Sequence, residues 1–360
     1  MKRLIKPALL FLPLVALLMF VNWYADPANV LRGGYEQRAA EILASGQNAA
    51  NLRNMDDRAF MQAYAKLRTQ PVGTLALGSS HSMQITTELT GDPDFFCAGV
   101  TGADLRDCIS IYRLFCEEGL APQRVILVVD PWFFCENTLE GRAMTDGYAE
   151  FCADHGFAPY GLAGGGLNWS ALERKANLFS IPYFQSSLDY LKKGLHRTRD
   201  AIPTLEHTAE GAMRRADGSY CYEEEYRDAP LEEVRQLAQD CVIVPPLYAR
   251  NFTGVTGGLV EQLRAFLQEM QADGREVAIM LPPYHPHFYA HMCEAEMYRD
   301  FLSTEEIVRE MAAELEIPVF GSMDPAACGL DETDFYDAQH CREEAMYSFY
   351  PEDLFAGGAV

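Results

Sequence analysis

Val72-Gly73-Thr74-Leu75-Ala76-Leu77-Gly78-Ser79-Ser80-His81-Ser82 runs from a short apolar, β-compatible segment into a glycine, two hydroxyls and an imidazole. That is how a buried strand ends at a turn able to carry chemistry. A serine hydroxyl is a weak nucleophile alone, so the turn needs a base and an orienting acid from elsewhere. Near the other end of the chain, Asp334-Phe335-Tyr336-Asp337-Ala338-Gln339-His340 offers both. Asp337 and His340 are three residues apart, and on the first turn of a helix residues i and i+3 share a face.

Outward from the turn, Phe95 to Ala98 reads as a second short strand, and Asp104 to Glu118 as a helix bounded by Gly102 and Gly119. Arg124 to Val129 is the clearest buried strand, ended by Asp130-Pro131-Trp132 because proline cannot continue the ladder. A helix is expected over Leu259 to Met270, a turn at Asp273-Gly274 and a strand over Val277 to Leu281. Ser303 with Glu306 reads as a capping box that starts a helix running to about Leu315. Pro318 to Phe320 follows as a last short strand, and Cys341 to Ser348 as a terminal helix. Strands alternating with helices imply an α/β fold with a mainly parallel sheet covered on both faces, its ligands at the carboxyl ends of the strands. Gly161 to Arg250 breaks the alternation, with Gly164-Gly165-Gly166, several aromatics and the acidic run Glu223-Glu224-Glu225. It reads either as a lid or substrate-binding insertion or as packing against a sheet edge.

The amino terminus differs from the rest. Lys2, Arg3 and Lys6 precede an apolar run from Pro7 to Val21, closed by Asn22, Trp23 and Tyr24. Basic residues inside and an aromatic pair at the far interface suit a single-pass transmembrane helix, although the run is slightly shorter than the roughly 20 residues of a full span. A cleaved signal peptide is the rival, but Trp23, Tyr24, Asp26 and Pro27 crowd the candidate cleavage sites around Ala25 and Ala28, which favours an uncleaved anchor. Either way the folded part is expected outside the cytoplasmic membrane. The polar stretch from Pro27, with helical periodicity at Tyr35 to Leu43 and Ala59 to Leu67, reads as a stalk with lead-in helices. The expected organisation is therefore an anchor over 1–26, a stalk over 27–70 and an α/β domain over 71–360, with an insertion at about 160–252.

The chain has 360 residues, 49% of them hydrophobic, which is ample for a core. A formal net charge of −23 without a basic stripe argues against a nucleic-acid partner. The ten cysteines include no C-x-x-C pair and no Cys/His cluster of zinc spacing. Cys97, Cys108, Cys116 and Cys241 lie in apolar company, as buried thiols or as partners in one or two disulfides. Tyr284-His285-Pro286-His287 and His291 fit an ordinary loop after a strand better than a metal site, and no cofactor is expected.

Gly78-Ser79-Ser80 followed far downstream by Asp337-x-x-His340 resembles the SGNH hydrolase superfamily. The resemblance implies a flavodoxin-like three-layer sandwich in which Ser80 is the nucleophile. Gly99-Val100-Thr101-Gly102-Ala103-Asp104 looks like the superfamily's second block, and Gly102 matches the glycine whose amide contributes to the oxyanion hole. The third block departs: where a typical member has an Asn after the central strand, this chain has Val128-Val129-Asp130-Pro131-Trp132, and an ionised aspartate cannot donate to an oxyanion. With that departure the pattern looks like the membrane-anchored DltD branch, which, like the alginate-acetylation proteins AlgX and AlgJ, works beside membrane-bound O-acyltransferases on cell-envelope polymers. The resemblance covers most of Thr74 to Ser348, apart from the insertion.

What the resemblance implies is acyl transfer through an acyl-serine. His340 would take the Ser80 proton, Asp337 would hold the imidazole, and the Ser80 and Gly102 amides would form the oxyanion hole. His81, Asp130 and Trp132 are candidate substrate contacts. The implied setting is the cell membrane with the domain extracytoplasmic, a membrane-bound O-acyltransferase as partner, and a polysaccharide or other polymer as substrate. The alternative is a catalytically silent scaffold in an envelope-polymer assembly, which the missing Asn favours and the presence of Ser80, Asp337 and His340 disfavours.

Overall fold

The computed structural model describes the chain at residues 2–139, 141–162, 175–194 and 200–355, with side chains from residue 11 onward. The strands in chain order are β1 (Asn48–Leu52), β2 (Thr74–Leu77), β3 (Phe96–Cys97), β4 (Arg124–Val128), β5 (Ile202–Thr204), β6 (Ala212–Arg214), β7 (Tyr220–Cys221), β8 (Glu276–Leu281) and β9 (Val319–Gly321). Five of them build a parallel sheet in the order β3-β2-β4-β8-β9. Counted within that sheet, the order is 2-1-3-4-5, so the chain reverses direction across the sheet between β2 and β4. Such a switch point leaves a crevice at the carboxyl ends of the strands.

The strands are continuous apolar runs because both faces are covered. Leu75, Leu77, Val125, Leu127, Ile279 and Leu281 point into one core, with Ile109, Tyr112 and Phe115 of the helix Leu105–Glu117 and Leu263, Phe266 and Met270 of the helix Gly257–Ala272. Their alternates Ala76, Ile126, Val128, Ala278 and Met280 point into a smaller core with Val234, Phe335, Ala345 and Met346. This is the period-two alternation of a strand, apolar on each side. The α/β class and the parallel sheet expected from the sequence are what the structure shows.

The remaining strands form an antiparallel sheet in the order β5-β1-β6-β7. It meets the parallel sheet at the β3 edge, where the Cys97 amide donates to the Asp217 carbonyl at 2.7 Å. The insertion therefore covers the edge with β6 and β7 and pairs them, through β1, with a stretch expected to be stalk. That stretch is no stalk: Ala39, Ala40, Ile42 and Leu43 of the helix Tyr35–Ala44, and Phe60, Met61 and Tyr64 of the helix Asp57–Leu67, are buried in the main core. The Gly164-Gly165-Gly166 segment lies outside the described residues.

Two further expectations are corrected. Ser303 does not cap a helix: the helix runs Arg299–Glu314, and the Ser303 hydroxyl donates back to the Asp300 carbonyl from within it. The terminal helix reduces to a 3₁₀ turn over Glu344–Ser348. All ten cysteines are free thiols. The amino-terminal helix spans Lys2–Ala25. Its foot is clamped by Asn22, whose amide donates to the carbonyls of Asn177, Leu178 and Ser180. Among the described residues no helix is long and apolar enough to cross a membrane. The expected anchor, Pro7 to Val21, begins in side chains outside that set.

Candidate active site

Gly78 ends β2 with φ 147°, and a Cβ there would stand 2.7 Å from Val128 Cβ, so only glycine lets the chain turn this close to β4. The turn passes into a short 3₁₀ helix, Ser80–Gln84, whose cap is Ser79: its hydroxyl accepts from the His81 amide at 3.2 Å. Ser79 is thereby buried and occupied, while Ser80 is left half-exposed at the cleft.

Ser80 Oγ lies 2.8 Å from His340 Nε2, across 260 residues of sequence. On the far side of the ring, His340 Nδ1 is 2.9 Å from Asp337 Oδ2 and 3.1 Å from Oδ1. An ionised carboxylate only accepts, so Nδ1 carries the hydrogen and Nε2 offers its lone pair to the Ser80 hydroxyl. Asp337 and His340 do not share a helical turn as expected. They sit in a loop closed by the Phe335–Cys341 bridge, where Asp337 Oδ1 accepts from the amides of Gln339 at 2.7 Å and His340 at 2.8 Å. The side chain shapes its own loop, so the i, i+3 spacing reaches the same result by a different backbone.

Burial pushes the Asp337 carboxyl up, but the charge of His340 and the hydrogen bonds from His340 and Tyr226 outweigh it and hold the group well below the usual carboxylate range. Burial likewise lowers His340, and the charge and hydrogen bond of Asp337 outweigh it, so the imidazole is raised above its ordinary value. Tyr226 completes this chain, its phenol donating to Asp337 Oδ2 at 2.7 Å. Tyr222 packs on His340 with ring centroids 6.0 Å apart, and Tyr248 donates to Gln339 beside the imidazole. Sequence reasoning missed all three tyrosines. They come from the insertion, where the signal was its several aromatics, Tyr222 and Tyr226 flanking the run Glu223-Glu224-Glu225 and Tyr248 lying apart from it.

The glycine block is held from behind by two buried arginines. Arg214 donates to Asp57 Oδ1 at 2.8 Å and to the Gly99 carbonyl at 2.6 Å, while Arg58 pairs with Asp107 at 2.7 Å and donates to the Thr101 carbonyl at 3.2 Å. A trans peptide points its C=O and N–H in opposite directions, so fixing the Thr101 carbonyl on Arg58 turns the Gly102 amide away from Arg58.

Of the three candidate substrate contacts, His81 lines the cleft, together with Ser80, Gln84, His340, Met280 and Pro282. Asp130 is turned away from the cleft surface and toward His81. It is fully buried, and its carboxylate Oδ1 lies 2.6 Å from His81 Nδ1. Trp132 is buried as well, its indole donating to the Ala103 carbonyl and its ring 5.7 Å from His81, so it is a wall behind the imidazole. Asp130 leaves its strand pointing at a histidine.

Elsewhere His285 caps the helix Pro286–Glu294 and His287 bonds to Gln239. Among the described residues no group of His, Cys, Asp and Glu could hold a metal ion. Neither a protein-family model nor a curated protein matches the chain.

Proposed function

We propose that the chain is a serine acyl-transfer protein of the SGNH kind, an O-acyltransferase or esterase that works through an acyl-serine. The observation that carries this reading is the hydrogen-bonded series Ser80–His340–Asp337, at 2.8 and 2.9 Å. The 2-1-3-4-5 strand order, which is flavodoxin-like, supports it, with the site at the carboxyl ends of β2, β4 and β8.

In this mechanism Ser80 Oγ attacks the acyl carbonyl carbon while its proton passes to His340 Nε2, and Asp337 holds the resulting imidazolium. The Ser80 and Gly102 amides stabilise the tetrahedral oxyanion. The acyl–oxygen bond then breaks, and His340 returns the proton to the leaving oxygen. A second hydroxyl, from water or a sugar, gives its proton to His340 and adds to the acyl carbon; the bond to Ser80 Oγ then breaks, and His340 returns the proton to Ser80.

The setting is the outer face of a membrane. On the amino-terminal helix Phe11, Leu12, Leu14, Leu17 and Phe20 are each more than half exposed, and Phe179 and Ile181 are exposed beside its foot. Such a surface suits lipid. The resemblance adds a cell-envelope polysaccharide or polymer as acceptor and a membrane-bound O-acyltransferase as the neighbour that supplies the acyl group.

A fluorophosphonate probe tests the reading against the silent-scaffold alternative. Wild-type protein is expected to label at Ser80. Ser80→Ala should lose labelling and at least ~10³-fold of its turnover of a small acetyl ester, while Ser79→Ala, losing only a cap, should keep more. Absence of labelling under conditions that label a known serine esterase favours the scaffold.

A further inference from the structure

Two glutamine carboxamides line the cleft beside Ser80 and His340, and the acyl-transfer mechanism above uses neither. Gln84 ends the 3₁₀ helix that Ser80 begins, and Gln339 stands next to His340 in the chain. Each is held from the insertion. Gln84 Nε2 donates to the Tyr220 carbonyl of β7 at 3.1 Å, and Tyr248, from the helix Leu247–Arg250, donates to Gln339 Oε1. A carbonyl only accepts, so Gln84 must turn its amino group to Tyr220, which leaves its Oε1 free. Among the described residues neither Gln84 Oε1 nor Gln339 Nε2 takes a hydrogen bond, and neither is shut off from solvent.

What the two free groups can hold follows from their chemistry. One accepts and the other donates, and a hydroxyl does both. No Lys, Arg, Asp or Glu is among the described residues that line this cleft, and the His340 ring is already engaged by Ser80 and Asp337. A carboxylate or phosphate would need a cation there, and a formal net charge of −23 repels a polyanion before it arrives. An uncharged polyol meets neither obstacle.

We infer that Gln84 and Gln339 bind the acyl acceptor, an uncharged polyol such as a neutral sugar, and so direct the acyl group to it in preference to water. The inference rests on the acyl-serine reading and names the acceptor class for that site. One hydroxyl of the polyol gives its proton to His340 Nε2 as its oxygen adds to the acyl carbon, and the bond to Ser80 Oγ breaks as His340 returns the proton to that oxygen. The polyol's other hydroxyls donate to Gln84 Oε1 and accept from Gln339 Nε2. A water molecule in the reacting position has no other hydroxyl to offer them.

The test uses a small acetyl ester as donor and molar glycerol or glycerol 1-phosphate as acceptor, and reads the ratio of acetylated acceptor to enzyme-released acetate. Misfolded protein lowers both products alike, so the ratio reports the acceptor site. Wild-type protein should acetylate glycerol and discriminate against glycerol 1-phosphate. Gln84→Met and Gln339→Met should each lower the glycerol ratio about 2–10-fold, the worth of a neutral hydrogen bond. A ratio that neither substitution moves, equal use of the two acceptors, or acetate alone from a protein whose Ser80 labels with fluorophosphonate overturns the inference. Glutamine side-chain ¹⁵N signals, assigned by their loss in the two variants, read the binding without the chemistry: glycerol should shift those of Gln84 and Gln339, and no shift overturns the inference too. Failure of wild-type Ser80 to label sinks the acyl-serine reading instead, and the glutamine signals still decide whether the two side chains bind a polyol.

Discussion

Tyr226 donates its phenol hydrogen to Asp337 Oδ2 at 2.7 Å, so the insertion supplies the outermost link of the series that ends at Ser80. Tyr226→Phe removes that hydrogen bond and keeps the ring contact with Tyr336. Asp337 retains its donors from Gln339 and His340. A bond to a charged group is worth about 1.5–3 kcal/mol, so kcat on a small acetyl ester should fall by roughly tenfold with KM little altered. An unchanged kcat in a well-folded variant would separate the insertion from the chemistry.

His340 has to be unprotonated to act as base, and Asp337 raises it above the ordinary value of 6.5. Activity should therefore rise with pH through a midpoint above 6.5. Asp337→Asn removes the main charge that favours the imidazolium and leaves only Asp130 to oppose burial, so the midpoint should move down while turnover drops about 10⁴-fold. A kcat/KM profile for each protein checks the sign. An upward shift in Asp337→Asn contradicts the assignment.

Arg214 is fully buried between Asp57, the Gly99 carbonyl and the Phe60 ring. Arg214→Leu leaves Asp57 buried without this partner and should lower unfolding stability by about 3–5 kcal/mol, as removing one member of a buried pair does. Arg299→Leu, which breaks an exposed pair with Glu296, should change it little. Denaturant melts of the two variants make the comparison, and equal midpoints would mean that Arg214 is dispensable to the fold.

If the amino-terminal helix stands in a bilayer, full-length protein should remain with membranes through high-salt and carbonate washing, because hydrophobic insertion is not screened by salt. Recovery of a mature protein beginning near Ala28 would show a signal peptide instead.

The parallel sheet was legible because β2, β4 and β8 are covered on both faces and so read as unbroken apolar runs. Ser80, Asp337 and His340 were legible from residue type and order, since spacing survives a change of backbone from helix to loop. The antiparallel sheet was not. β1 is Asn-Ala-Ala-Asn-Leu, without a β-branched residue, and its partners β5 and β6 lie some 150 residues downstream. Strand character there comes from long-range pairing that no local window contains. Tyr226 meets Asp337 across more than a hundred residues, and nothing in the sequence brings Asp130, a candidate substrate contact there, within reach of His81.

The clamp at the foot of the amino-terminal helix has a mechanical consequence. Asn22 is bound to three carbonyls of one short segment, and Asp26 accepts the amides of Val30, Leu31 and Arg32 where the chain leaves the helix. The exit of the chain from this helix is therefore set by two side chains, Asn22 holding the helix to the segment at Asn177 to Ser180 and Asp26 gathering the three amides that follow.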